Sequence, residues 1–102
     1  MINVFEEIIE HTTQREQGQL VKCIELNLNG QYYYLKEGYT VIDFGVFINT
    51  TNKLEYDNGY GGQELFGIIW YVDGTWSERG EYDGSEWWRH QSCPVVPDYL
   101  KE

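Results

Sequence analysis

The sequence predicts an α+β fold in which an N-terminal amphipathic helix is followed by an antiparallel meander of about five to six strands. Three Asx-Gly pairs lie between segments of alternating polarity: Asn29-Gly30, Asp73-Gly74 and Asp83-Gly84. Such pairs favour two-residue hairpin turns, because both central positions need a positive φ. The 102 residues are enough for one domain, 1–102, built as a twisted sheet curled round its helix or as a small open barrel.

The first predicted element is a helix over residues 2–15. Its apolar side chains follow i, i+4 spacing and share one stripe: Val4, Phe5, Ile8 and Ile9. Asn3 is a suitable N-cap, and Glu6 three residues later completes a pattern similar to a capping box. We expect this helix to lie on the sheet.

The next two predicted strands, 20–28 and 31–36, flank Asn29-Gly30. A two-residue turn pairs Leu28 with Gln31, and this register gives the hairpin one face that is almost wholly apolar or aromatic: Ile24, Leu26, Leu28, Gln31, Tyr33 and Leu35. The opposite face is more polar: Cys23, Glu25, Asn27, Tyr32, Tyr34 and Lys36. The agreement between turn and alternation predicts the register of this hairpin.

Residues 39–49 are rich in β-branched and aromatic side chains, which favours a further strand. Gly45 inside this segment indicates a bulge or a point of close packing. Residues 50–63 are polar and rich in asparagine and glycine, so we expect them to form an exposed loop.

The last third predicts a three-stranded meander around the two Asp-Gly turns, with strands 64–72, 75–82 and 85–92. Two-residue turns give the following cross-strand pairs: Tyr71 with Trp76, Arg79 with Trp88, and Glu78 with Arg89. Pro94 and Pro97 end regular pairing, so residues 94–102 are predicted to form a tail.

The chain carries 17 acidic and seven basic residues, which gives a formal charge of −10 at pH 7. This charge repels nucleic acid and anionic membranes, so we expect neither as a direct partner. Basic protein surfaces are the complementary partners, although solubility alone explains the same charge. The sequence shows no secretory signal and no apolar run of roughly 18–20 residues, which predicts a cytoplasmic protein.

The sequence offers no clear catalytic constellation. Its two histidines, His11 and His90, belong to no nucleophile motif. Cys23 and Cys93 lack metal-binding or redox spacing and are predicted to be buried, reduced thiols. The glycine-rich segment 58–62 contains no lysine and precedes no helix pattern, so it is not a phosphate-binding loop. We therefore expect no enzyme, no metal and no cofactor.

Acidic and aromatic residues near the last hairpin are the predicted partner-binding residues. The carboxylates would form a rim with Glu55 and Asp57 from the preceding loop: Glu78, Glu81, Asp83 and Glu86. Exposed aromatic side chains often anchor interfaces, and the candidates are Tyr60, Trp87 and Trp88. Consecutive strand residues point to opposite faces, so one tryptophan of the adjacent pair must leave the main core face. The sequence leaves open which one.

The segment Glu81-Tyr82-Asp83-Gly84-Ser85-Glu86-Trp87-Trp88, with a closing Cys93-Pro94, resembles the C-terminal segments of small accessory proteins of tailed bacteriophages. The resemblance covers the last third of the chain and implies a protein made in an infected bacterium, without an assigned reaction. Together with the charge, it leads us to expect a non-enzymatic protein that binds a basic host protein in the host cytoplasm. It would act as an inhibitor of a defence or nucleic-acid enzyme, with carboxylates that imitate DNA phosphates.

Two alternatives stay open at this point. The Trp/Tyr face would also suit a module that binds a small ligand or a carbohydrate, in which case the charge is incidental. Self-association is a further possibility, because an exposed edge strand rich in tyrosine can pair with a second copy of the chain.

Overall fold

A computed structural model describes residues 1–13, 20–57, 62–82, 85–93 and 98–100. The fold is α+β, as the sequence predicts, and its sheet is open. The elements in chain order are β1 (Ile2–Asn3), α1 (Val4–Thr13), β2 (Val21–Leu28), β3 (Gln31–Leu35), α2 (Val41–Thr51), β4 (Glu55–Tyr56), β5 (Leu65–Tyr71), β6 (Trp76–Tyr82), β7 (Ser85–Gln91) and a 3₁₀ turn (Asp98–Leu100).

The main sheet has five antiparallel strands in the order β3-β2-β5-β6-β7. The chain therefore forms a hairpin and a three-stranded meander, which join where β2 pairs with β5. Strands β1 and β4 form a separate two-stranded sheet. The helices supply Val4, Ile8 and Phe47 to a core that they share with the main sheet, including Leu26 and Ile69.

Helix α1 confirms the predicted N-terminal helix. Its first turn is capped by Asn3, whose side-chain Oδ1 accepts a hydrogen bond from the Glu6 amide at 2.9 Å. Val4 and Ile8 are buried, and Ile9 at the edge of the stripe is exposed. The described helix ends at Thr13, and the last two residues of the predicted range lie outside the described residues.

The strand predicted at 39–49 is wrong, because helix α2 occupies this segment. A capping box starts the helix: the Asp43 amide donates to Thr40 Oγ1 at 3.1 Å, and the Thr40 amide donates to Asp43 Oδ2 at 3.0 Å. The expected bulge at Gly45 is absent, since Gly45 lies on the exposed side of this helix. The single loop predicted at 50–63 is also wrong in part. Helix α2 extends to Thr51, and Glu55–Tyr56 form strand β4.

The β2–β3 hairpin has the predicted register, with Leu28 opposite Gln31 and Ile24 opposite Leu35. Asn29 and Gly30 have φ values of 51° and 89°, as a type I′ turn requires. The β6–β7 hairpin likewise shows the predicted pairs, Arg79 with Trp88 and Glu78 with Arg89.

The predicted register across Asp73-Gly74 is wrong by one residue. Only Gly74 of this pair has a positive φ, at 89°. The Gly74 amide donates to the Tyr71 carbonyl at 3.2 Å, and the Tyr71 amide donates to the Thr75 carbonyl at 2.9 Å. This geometry is that of a longer, bulged hairpin loop, and it pairs Trp76 with Trp70 instead of Tyr71. As a result Trp76 shares a face of the sheet with Trp70 and not with Tyr71, which points into the core and is 1% exposed.

Candidate functional site

The outer face of the main sheet, which points away from the core, is the candidate functional site. One row of residues crosses all five strands on this face in register: Tyr34, Glu25, Ile68, Glu78 and Arg89. Aromatic residues occupy the neighbouring rows: Tyr32, Phe66, Trp70, Trp76 and Trp87. We call these ten residues the outer face.

Several outer-face rings are open to solvent. Tyr32, Tyr34 and Phe66 are 51%, 55% and 50% exposed, and the first two stack with ring centroids 6.0 Å apart. Trp87 is 38% exposed and lies against the Gly80 backbone, whereas Trp88 is 6% exposed in the core. Trp87 is therefore the tryptophan of the adjacent pair that is available to a partner.

A cleft of about 360 Å³ opens on the outer face where β3, β2 and β5 lie side by side. Its lining consists of one carboxylate, one amide, two aromatic rings and two further residues of β5: Glu25, Asn27, Tyr32, Phe66, Gly67 and Ile68. Asn27 Oδ1 already accepts a hydrogen bond from the Gly30 amide at 2.9 Å. The side chain of Glu25 forms no hydrogen bond or ion pair within the described part of the chain.

The predicted acidic rim does not form a single surface, because the strand alternation divides its carboxylates between the two faces. Glu78 lies on the outer face, where its Oε1 is 3.2 Å from Arg89 Nη2. Glu81 is exposed, and it pairs across the hairpin with Glu86. Asp83 and Tyr60 lie outside the described residues.

Glu86 and Trp88 are not surface contact residues, which corrects the sequence prediction. Glu86 is 2% exposed. Its Oε2 accepts from the Glu64 amide at 2.8 Å, and its Oε1 accepts from the Leu65 amide at 3.1 Å. The carboxylate thus satisfies two donors at the start of β5, and Trp88 packs beside it in the core.

Glu86 belongs to a buried group that we call the Arg79 cluster: Glu7, Tyr56, Arg79 and Glu86. Arg79 Nη1 donates to Glu7 Oε1 at 2.9 Å, and Nη2 lies 3.4 Å from Glu86 Oε1. Nη2 also donates to the Tyr56 hydroxyl at 2.7 Å, which itself donates to Glu7 Oε1 at 2.7 Å. The Arg79 guanidinium also lies 5.2 Å from the Tyr56 ring centroid and 5.0 Å from that of Trp88. The cluster ties α1, β4, β6 and β7 together, and Arg79 was not among the predicted site residues.

We expect the free energy of unfolding to fall as the pH rises above about 10. Burial raises the pKa of the Tyr56 hydroxyl well above its ordinary value, the hydrogen bond to Glu7 adds to this rise, and Arg79 opposes it. In this alkaline range the unfolded tyrosine releases its proton while the folded one keeps it, so unfolding becomes more favourable. Urea denaturation of wild type and Tyr56→Phe across this range tests the prediction.

The Tyr56→Phe variant should show a flatter alkaline decline than the wild type. The matched control is Tyr82→Phe, which removes the hydroxyl of a side chain that is 76% exposed and should leave the decline unchanged. An equally steep decline in Tyr56→Phe would contradict the assignment.

A buried Ser–His pair was missed by the sequence analysis. Ser77 Oγ is 2.8 Å from His11 Nε2 and 2.8 Å from the Tyr71 hydroxyl. Ser77 is completely buried, so a substrate cannot reach its hydroxyl. We interpret this contact as a structural link between α1 and β6, since a nucleophile must be accessible.

The cysteines and possible metal ligands form no further site within the described residues. Cys23 and Cys93 are free thiols, but Cys93 is exposed and Cys23 half-buried, so the prediction that both are buried is wrong. Burial and the nearby Glu37 raise the pKa of the Cys23 thiol, and Lys22 opposes this rise. The raised pKa disfavours the reactive thiolate.

No group of three or more potential metal ligands occurs among residues that the structure describes. None of the described helices has the length and apolar character to cross a bilayer.

Comparisons with protein-family models, with curated proteins and with solved structures find no match to this chain.

Proposed function

We propose that this chain is a non-enzymatic binding protein whose outer face docks on a basic surface of another protein. The observation that carries the proposal is the accessible set of aromatic rings on the sheet, four of which are between 38% and 55% exposed: Tyr32, Tyr34, Phe66 and Trp87. Large exposed apolar patches mark interaction sites, and rigid aromatic side chains give much contact area at low entropic cost.

The charge supports a basic partner. A net charge of −10 attracts cationic surfaces over several ångströms and accelerates their association. The row that crosses the outer face has two glutamates and one arginine, so the net charge of this row is negative, like that of the whole chain. Nucleic acid remains an unfavourable partner for the same electrostatic reason.

The resemblance of the last third to phage accessory proteins suggests that the partner is a host protein in the bacterial cytoplasm, such as a defence or nucleic-acid enzyme. The positions of the carboxylates do not support imitation of DNA phosphates. Such imitation needs a line of carboxylates on one surface, whereas Glu78 lies on the outer face and Glu86 in the core.

Capture from bacterial extract should recover a basic protein that wild type retains at low ionic strength and releases as salt is raised. The double variant Tyr32→Ala/Phe66→Ala should not retain it, because it loses two exposed rings of the outer face. The control Ile42→Ala/Val46→Ala removes exposed apolar side chains from α2 and should retain the protein as wild type does.

Circular dichroism of all three proteins must first show the same fold. Retention of the same protein by the outer-face variant would refute docking through this face. Retention that does not change with salt would refute the basic partner.

Carbohydrate binding is the second candidate, because the cleft on the outer face combines aromatic rings with the polar side chains of Glu25 and Asn27. Binding of a neutral sugar would be nearly independent of salt. It would also change the fluorescence of the outer-face tryptophans, which are Trp70, Trp76 and Trp87. A glycan panel that gives no fluorescence change would exclude this candidate.

A further inference from the structure

We propose that the cleft bounded by Glu25, Tyr32 and Phe66 is a pocket for one arginine side chain of the partner protein. The inference rests on the proposed function, since it names the chemical group by which the outer face would recognise a basic surface. The occupant of the cleft would thus be a planar cationic side chain that belongs to another protein.

The unpaired carboxylate of Glu25 favours a cationic occupant. Glu25 is half-buried between Tyr34 and Ile68 of the neighbouring strands. Glu78 in the same row forms an ion pair with Arg89 at 3.2 Å, whereas the Glu25 carboxylate forms none with any described residue. An apolar occupant would remove water from the carboxylate without replacing its interactions, and this costs free energy. A guanidinium would supply both charge and donors.

The rings beside Glu25 favour a planar cation. Tyr32 and Phe66 line the cleft, and about half of each side chain is exposed. Aromatic faces carry partial negative charge and attract cations placed over them. Arginine fits this combination better than lysine, because its flat guanidinium stacks on a ring while its fork of donors meets a carboxylate.

The core of the same molecule contains this arrangement already. The Arg79 guanidinium lies 5.0 Å from the Trp88 ring centroid and 2.9 Å from Glu7 Oε1. In the core, the chain supplies the cation itself. At the outer cleft it supplies a carboxylate and rings of the same kind, and the cation is left to the partner.

Defined peptides test the pocket without knowledge of the partner. The probe is an end-blocked Gly-Arg-Gly peptide, and the comparison peptides carry lysine or the neutral isostere citrulline in place of arginine. Amide chemical shifts of the ¹⁵N-labelled protein should change in a saturable way at Glu25, Asn27 and residues 66–68 with the arginine peptide. The lysine peptide should bind more weakly, and citrulline should give no saturable change.

Two matched variants separate the local contact from the overall charge. Glu25→Gln should weaken binding of the arginine peptide about tenfold, since it removes the charge that pairs with the guanidinium. Glu10→Gln changes the net charge equally at an exposed position on α1 and should leave the affinity within about twofold. Equal binding of arginine and citrulline peptides, equal effects of the two variants, or no binding at all would overturn the pocket.

The outcome also distinguishes this inference from the proposed function. If the arginine peptide binds at Glu25 but no basic protein is captured, the pocket stands and the proposed function fails. If a basic protein is lost with Tyr32→Ala/Phe66→Ala but retained fully by Glu25→Gln, docking through the outer face stands and the arginine pocket fails.

Discussion

Arg79→Met should lower the free energy of unfolding by about 3–5 kcal/mol, because it removes the cation from a buried ion-pair group. The Arg79 side chain is 1% exposed, and its partners Glu7 and Glu86 are 19% and 0% exposed. Methionine fills much of the same volume, so the loss is mainly electrostatic and not a cavity effect. Urea denaturation monitored by tryptophan fluorescence measures the change.

Arg89→Met provides the matched control for this effect. Arg89 also pairs with a glutamate, at 3.2 Å from Glu78, but the two side chains are 51% and 38% exposed. Water screens such a pair, and its removal should change stability by less than about 1 kcal/mol. Similar small changes in both variants would show that the Arg79 cluster can be exchanged for apolar packing without loss.

The sequence predicts those parts of the fold that depend on neighbouring residues. Asn29-Gly30 determines the β2–β3 turn through its two positive φ values, and the alternation of the strands then determines which face is buried. Patterns of neighbouring residues also correctly predict helix α1, with its cap at Asn3. They also predict the β6–β7 pairs, including Arg79 opposite Trp88.

The errors arise where two local patterns compete. In α2 the β-branched residues favour a strand, whereas Thr40 and Asp43 form a capping box that the sequence already contains. This capping pattern was the available signal for the helix. At Asp73-Gly74 the dipeptide fits both a two-residue turn and a longer bulged loop, and the choice between them changes which ring faces the core.

The candidate site could be predicted only in part. The predicted register already places Glu25, Tyr32 and Tyr34 on the polar face of the first hairpin, but the β2–β5 pairing adds Phe66 and Ile68 to complete the cleft. The burial of Glu86 could not be inferred locally. It depends on Arg79 and on backbone donors 21 and 22 positions away in sequence.

Gly67→Ala should lower the free energy of unfolding by about 1–3 kcal/mol, since the added methyl group has no space in the sheet. A Cβ atom at this position would lie 2.6 Å from the Glu25 carbonyl oxygen, 2.9 Å from Leu26 Cδ2 and 3.3 Å from Trp88 Cη2. The nearest of these atoms belongs to the β2 backbone, which cannot move without disturbing its pairing with β5. Gly67 also lines the outer cleft, so a displaced β2 would move Glu25 and weaken binding of the arginine peptide.

Gly45→Ala tests whether the effect at Gly67 is steric. No atom lies within 4 Å of a Cβ built at Gly45, which is exposed within α2. Alanine should therefore stabilise the protein by about 0.5–1 kcal/mol through its better helix propensity. The same substitution would thus have opposite signs at the two glycines. A Gly67→Ala protein as stable as wild type would contradict the close approach of β2 and β5, and with it the shape of the cleft that these strands form.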